Sequence, residues 1–183
     1  VNLSSSYFTW QDASVTRARE EAGRDLALYA EMTHCTMTGK ATNGSGTQPF
    51  LRTTDQQFYT TAQMAYEQGA TGVSFFNFAY YRYHVTDSIG PFHEPPFHVL
   101  SQVKDRESLV KESPSYFLSS GRNDRILGER ELPRTVKRNH LNHFSMFLSR
   151  EMSFEGDAIL RFRIDESILD REIQVTMDGV SVA

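Results

Sequence analysis

Two nearly uninterrupted apolar runs, "DLALYAEMT" (25–33) and "TGVSFFNFAY" (71–80), flank a well-marked amphipathic stretch, and this pairing most restricts the fold. A strand with so few polar positions suits a parallel sheet covered on both faces, and parallel neighbours need a crossover between them. The stretch "TTDQQFYTTAQMAYEQG" (53–69) has the marks of that crossover helix. Thr54 and Gln57 have capping-box spacing, Asp55 falls near the positive end of the dipole, and Phe58, Ala62 and Ala65 recur at i, i+4 and i+7. Gly69 closes the helix.

The same alternation extends on both sides. "VNLSSSYF" (1–8) reads as a short strand, and "DASVTRAREEAG" (12–23) as a helix capped by Asp12, with Val15, Ala18 and Ala22 on one face and Gly23 as its stop. "HCTMTGKATNGSGTQPFLR" (34–52) is a long Gly-, Thr- and Ser-rich loop. An aromatic- and histidine-rich loop, "YYRYHVTDSIGPFHEPP" (80–96), follows the second apolar run. Pro95 and Pro96 suit entry to a helix at "FHVLSQV", and Asp105 can cap another at "RESLVKES".

From about residue 114 the pattern changes to period two. It is clearest where Ile159, Arg161 and Arg163 alternate with Leu160, Phe162 and Ile164, and Asp178-Gly179 is a hairpin signal between "IQVTM" and "VSVA". The chain therefore divides into an α/β part (1–113), a linker (114–139) and a short antiparallel β part (140–183). Three strand–helix units neither close a barrel nor complete a doubly wound sheet, so further strands are expected upstream.

With 183 residues and 39% hydrophobic content, the chain can bury the core of one domain or parts of two. Lys and Arg number 19 against 23 Asp and Glu, both signs interspersed, so there is no basic face for nucleic acid. No apolar run approaches the roughly 20 residues that cross a bilayer, so no membrane partner is expected. Cys35, the one cysteine, forms no internal disulfide and has no base near it in sequence, which favours an inert thiol. The compartment stays undecided, secretion and the periplasm both being compatible. The histidines of "HEPPFH" (93–98) and "HLNH" (140–143) supply no complete metal-ligand set. "NGSGTQ" lacks the lysine and the strand–helix setting of a phosphate loop, so no cofactor is expected. "NLS" (2–4) and "NGS" (43–45) match the glycosylation acceptor pattern.

"VNLSSSYF", "LALYAEMTH" and "QMAYEQGATGVSFFNFAYYR" resemble the last three strands of the (β/α)8 TIM barrel of bacterial glycoside hydrolase-like proteins, whose final strand carries a "yxxGAdGvxxFNxxyxR" segment. "LSQVKDRESLVKESPSYF" and "LPR" are similar to the stretch that joins that barrel to a β-sandwich, so the resemblance covers roughly residues 1–135. It implies an α/β fold, the C-terminal strands and helices of a TIM barrel followed by a short antiparallel β-sandwich segment, and a carbohydrate substrate.

Counting back from 72–79 as the eighth strand makes 26–32 the seventh and puts Glu31 at its C-terminal end, where the resemblance implies the nucleophilic carboxylate. Retaining hydrolysis needs a second carboxyl about 5 Å away. The resemblance puts it on the fourth strand, upstream of residue 1, so this chain alone is expected to be inactive. For Glu31 the plain alternative is a structural ion pair with Arg52 or Arg82. His34 can hydrogen-bond a sugar hydroxyl or be a solvent-exposed loop histidine. Asn77 needs partners within an apolar strand and can orient Glu31 or satisfy a loop carbonyl. Tyr80 and Tyr81 can stack on a pyranose and Arg82 can hold a hydroxyl or carboxylate, or all three cover the barrel mouth. Trp10 is a further stacking candidate, or packs a loop against the rim. The alternatives to an enzyme are a non-catalytic carbohydrate-binding protein and a scaffold whose β segment mediates assembly.

Overall fold

A computed structural model of the chain describes residues 1–4, 9–11, 14–36, 51–76, 78, 95–118, 132, 135, 140–152, 156–161, 174–177 and 180–181. Three strands, β1 (Asn2–Leu3), β2 (Tyr29–Thr33) and β5 (Gly72–Phe76), form a parallel sheet in the order β1-β2-β5. The crossovers contain helices α1 (Val15–Ala22) and α2 (Asp55–Glu67). The fold is mixed α/β with a small three-stranded parallel sheet.

Alternation along β2 separates two environments. Leu28, Ala30 and Met32 enter the cores that also contain Val15, Phe58, Ala62 and Ala65. Tyr29, Glu31 and Thr33 are set on the other face, opposite the helices. The apolar run 25–33 becomes a strand only from Tyr29, and Leu26 is exposed. Neither strand is covered on both faces to the extent the composition suggests: Tyr29 is 40% exposed, and all of β5 is of intermediate burial.

α2 begins with the expected capping box. The Gln57 amide donates to Thr54 Oγ1 at 3.2 Å and the Thr54 amide to Gln57 Oε1 at 2.9 Å. The helix ends in a Schellman motif, with Ala70 N donating to Ala65 O at 2.9 Å and Gly69 N to Tyr66 O at 3.0 Å. Gly69 has φ of 97°, a left-handed conformation that L side chains seldom adopt. Thr54→Ala removes the reciprocal cap and is expected to cost about 1 kcal/mol, measurable as a lowered denaturation midpoint.

One feature of α2 departs from an amphipathic reading: Thr60, Thr61 and Gln63 are buried along with its apolar residues. Their face is covered from far along the chain. Ser115 N donates to Thr60 Oγ1 at 2.8 Å, while Gln11 Nε2 donates to Thr61 Oγ1 at 3.1 Å and to Ser115 O at 3.0 Å. Phe117 N returns a bond to Gln11 Oε1 at 2.8 Å. These residues of the expected linker therefore lie against α2.

α1 starts after Ser14, whose side chain makes no cap bond; Asp12, the expected cap, lies outside the described residues. Gly23 ends it with φ of 75°, as expected. The long loop is pinched at its base, because β3 (Cys35–Thr36) pairs antiparallel with β4 (Leu51–Arg52). Beyond β5, α3 (Val99–Gln102) follows Pro96, and α4 (Arg106–Leu109) is capped by Asp105, which accepts from Glu107 N and Ser108 N. Val99, Val103 and Leu109 close the core around Phe58.

In the C-terminal part, β6 (Thr176–Met177) and β7 (Val180–Ser181) pair antiparallel across the Asp178-Gly179 position. The alternation expected near 159–164 corresponds to no strand among the described residues 156–161, where Ile159 and Leu160 are both exposed. Neighbours of opposite parity sharing one environment show that no sheet face sorts them.

Candidate functional site

Glu31 lies at the centre of β2, in register with Ser74 of β5, and not at the strand's C-terminal end as expected, because the strand starts at Tyr29 and runs on to Thr33. Its carboxylate reaches sideways to β1. Asn2 Nδ2 donates to Oε2 at 2.8 Å and Ser4 Oγ donates to Oε1 at 2.5 Å. Ser74 Oγ donates to Asn2 Oδ1 at 2.7 Å, which fixes the orientation of the amide and turns its NH2 towards Glu31. A row of polar side chains thus crosses all three strands, linking Ser74, Asn2 and Glu31.

The Glu31 residue is 8% exposed, so its carboxylate is largely removed from water. Both partners are neutral. The described partners are Asn2 and Ser4; the ion pair expected with Arg52 or Arg82 falls on side chains outside the described residues. Each carboxylate oxygen has capacity for a second hydrogen bond.

Just beyond Glu31 the strand end is clamped by threonines. Thr9 Oγ1 donates to Thr33 O at 2.7 Å and accepts from Thr33 N at 2.9 Å, and Thr53 Oγ1 donates to Thr33 O at 3.0 Å. Thr9 N donates to Cys35 O at 2.8 Å and Thr53 N to His34 O at 3.1 Å. Three chain segments are therefore fixed around residues 33–35.

The candidates divide accordingly. His34 follows β2 directly and is buried, not a solvent-exposed loop histidine. Trp10 is 3% exposed and faces a cavity between the sheet and the helices, with Leu3, Ala30 and Met64. That cavity, of about 20 Å³, has room for one water and not for a sugar ring. Asn77, Tyr80, Tyr81 and Arg82 lie outside the described residues. Cys35 is buried at 1% exposure, as suits an inert thiol. His98, from the first histidine pattern, pairs through Nε2 with Asp55 Oδ2 at 2.6 Å. Among the described residues no group of three potential ligands could hold a metal.

Sequence reasoning missed Asn2, Ser4 and Ser74. Asn2 drew notice only as an acceptor pattern, whereas its amide is engaged on both sides. The usable signal is one polar residue at matching parity in each of three apolar strands, but its meaning depends on register, which the composition of single strands does not carry.

The chain is thus a mixed α/β unit that carries a buried, hydrogen-bonded carboxylate on the central strand of a parallel sheet. No protein-family model, no curated protein and no solved structure matches it.

Proposed function

We propose that this chain forms part of the carbohydrate-handling face of a glycoside hydrolase-like (β/α)8 barrel, with Glu31 as the carboxylate that attacks or stabilises the anomeric centre. The observation that carries the reading is the pair of neutral donors, Asn2 and Ser4, on a largely buried carboxylate. A buried carboxylate kept for structure is ordinarily matched by a cation, because desolvating an unmatched charge costs several kcal/mol. Neutral donors instead fix its orientation and leave its charge available to an electron-poor centre. The parallel order and the placement of both helices on one face are compatible with a barrel segment whose inner face bears Glu31.

In the retaining reaction, an oxygen of Glu31 bonds to the anomeric carbon as the glycosidic C–O bond breaks. A second carboxyl about 5 Å away gives its proton to the leaving oxygen. β1, β2 and β5 contain Glu31 as their one carboxylate, so that acid comes from outside these three strands. His34, and beyond β5 the residues Asn77, Tyr80, Tyr81 and Arg82, are the proposed sugar contacts.

The experiment is a screen of aryl glycosides and natural oligosaccharides against the full-length parent protein, which supplies the second carboxyl, and its Glu31→Gln variant. Cleavage of at least one substrate, reduced roughly a thousandfold or more in the variant with sugar binding retained, is the expected result. Equal glycan binding without cleavage by either protein assigns a non-catalytic carbohydrate-binding role. Absence of both binding and cleavage overturns the proposal.

A further inference from the structure

The last residue of α2 is a carboxylate at the unfavourable end of the helix. Glu67 sits where the macrodipole is negative, and the last turn has no basic residue to offset it. Its compensation comes from a turn more than 80 residues later. Arg150 N donates to Glu67 Oε2 at 2.9 Å, Glu151 N donates to Oε1 at 3.3 Å, and the Ser149 hydroxyl donates to Oε1. Gln63, one turn earlier on α2, adds its Nε2 at 3.2 Å.

The turn has organised its backbone around that charge. Besides the bonds to Glu67, Ser149 N donates to the Tyr116 hydroxyl at 3.2 Å and Met152 N to Ser149 Oγ at 3.0 Å. Four consecutive amides thus end on side-chain oxygens of Glu67, Ser149 and Tyr116, as in an anion-binding nest whose anion is supplied by the protein itself. The buried Met152 and the bond from Gln63 Nε2 to Glu151 Oε2 at 2.7 Å complete the attachment. Upstream, Leu141, Phe144, Met146, Phe147 and Leu148 are exposed.

We propose that residues 149–152 are an acid-releasable latch: ionised Glu67 holds the turn on the end of α2, and protonation of Glu67 frees it. This device is independent of the carbohydrate reading. Among the described residues, the charged or titratable groups around Glu67 are the Glu151 carboxylate across the Gln63 amide, the Tyr116 phenol and Arg150 of the turn itself. Arg19, on α1, is committed to Gly69 O, Gly23 O, Leu26 O and Thr71 Oγ1.

The sign follows from the environment of Glu67. Burial pushes its carboxyl up, but the hydrogen bonds from Ser149, Arg150, Gln63 and Glu151 together outweigh burial and hold it below its ordinary value of 4.5. A group depressed on docking contributes attachment that is complete above its free value and is lost as pH falls through its docked value. Release therefore falls in the acid range below 4.5.

The test is hydrogen exchange of the Arg150 and Glu151 amides across the acid range, each rate normalised to its intrinsic value at that pH, with Ala62 and Ala65 as reporters of α2. The expected result is a loss of protection of about tenfold or more at the turn in acid while α2 stays protected. Glu67→Gln is expected to abolish that protection already at neutral pH. Retained protection in Glu67→Gln, or simultaneous loss at the turn and in α2 on acidification of the parent protein, overturns the latch. The parent titration does not depend on any variant folding.

Discussion

Replacing Phe58 with alanine is expected to lower the free energy of unfolding by about 3–5 kcal/mol, read as a reduced chemical-denaturation midpoint at unchanged slope. Phe58 is fully buried at the junction of α2, the sheet and the two short helices. Its ring lies 5.6 Å from that of Phe75 and 5.9 Å from that of Phe78, the second contact edge-to-face. Such pairs add about 0.5–1.5 kcal/mol beyond burial, so the loss should lie towards the upper end. Because Met32, Val99 and Leu109 approach from three different elements, the site cannot collapse without shifting one of them. Phe58→Leu, which refills most of the volume, should cost less than half as much. A loss under about 1 kcal/mol for the alanine variant would mean that the core is not organised around this ring.

Arg19→Ala is expected to cost about 2–3 kcal/mol, although the side chain is partly exposed, because it removes four hydrogen bonds made by one guanidinium. Nε donates to Gly69 O at 2.8 Å, Nη1 to Gly23 O at 2.8 Å and to Leu26 O at 2.7 Å, and Nη2 to Thr71 Oγ1 at 3.0 Å. The fork joins the end of α1, the approach to β2 and the turn between α2 and β5. Arg19→Lys keeps the charge but not the planar set of donors, and thermal unfolding should show it recovering less than half of the loss. Full recovery by lysine would mean that charge alone matters. Arg19 also explains the neighbouring glycine a second time: a Cβ on Gly69 would lie 3.1 Å from Arg19 Cγ, in addition to the strain of its positive φ.

What could be read from the sequence was local. The Thr54–Gln57 box, the stop at Gly69, the Asp105 cap, the entry after Pro96 and the turn at Asp178-Gly179 each depend on a few adjacent residues, and each has its counterpart in the fold. Three strands in parallel were legible for the same reason, from apolar runs separated by helical periodicity. What escaped was set by distant partners. Thr60, Thr61 and Gln63 look like the solvent side of an amphipathic helix until residues 115 and 151 are laid across them. Glu31 stood out by its type, but its partners, Asn2 of β1 and Ser4 just after it, come from another segment and are chosen by register. The alternation meets no partner strand at 156–161, because period two is only a preference until a second strand holds it, and 162–164 lie outside the described residues.

The antiparallel pairing of Cys35–Thr36 with Leu51–Arg52 has a consequence for how this chain can vary. The clasp brings the chain back to its point of departure before α2 begins, so a change in the number of residues between 36 and 51 is absorbed there. Neither the register of β2 nor the cap of α2 has to adjust. Doubling the length of such an excursion adds only about 0.6 kcal/mol of closure entropy. Inheritance can therefore lengthen, shorten or replace the residues between the two halves of the clasp while the sheet and its core stay as they are.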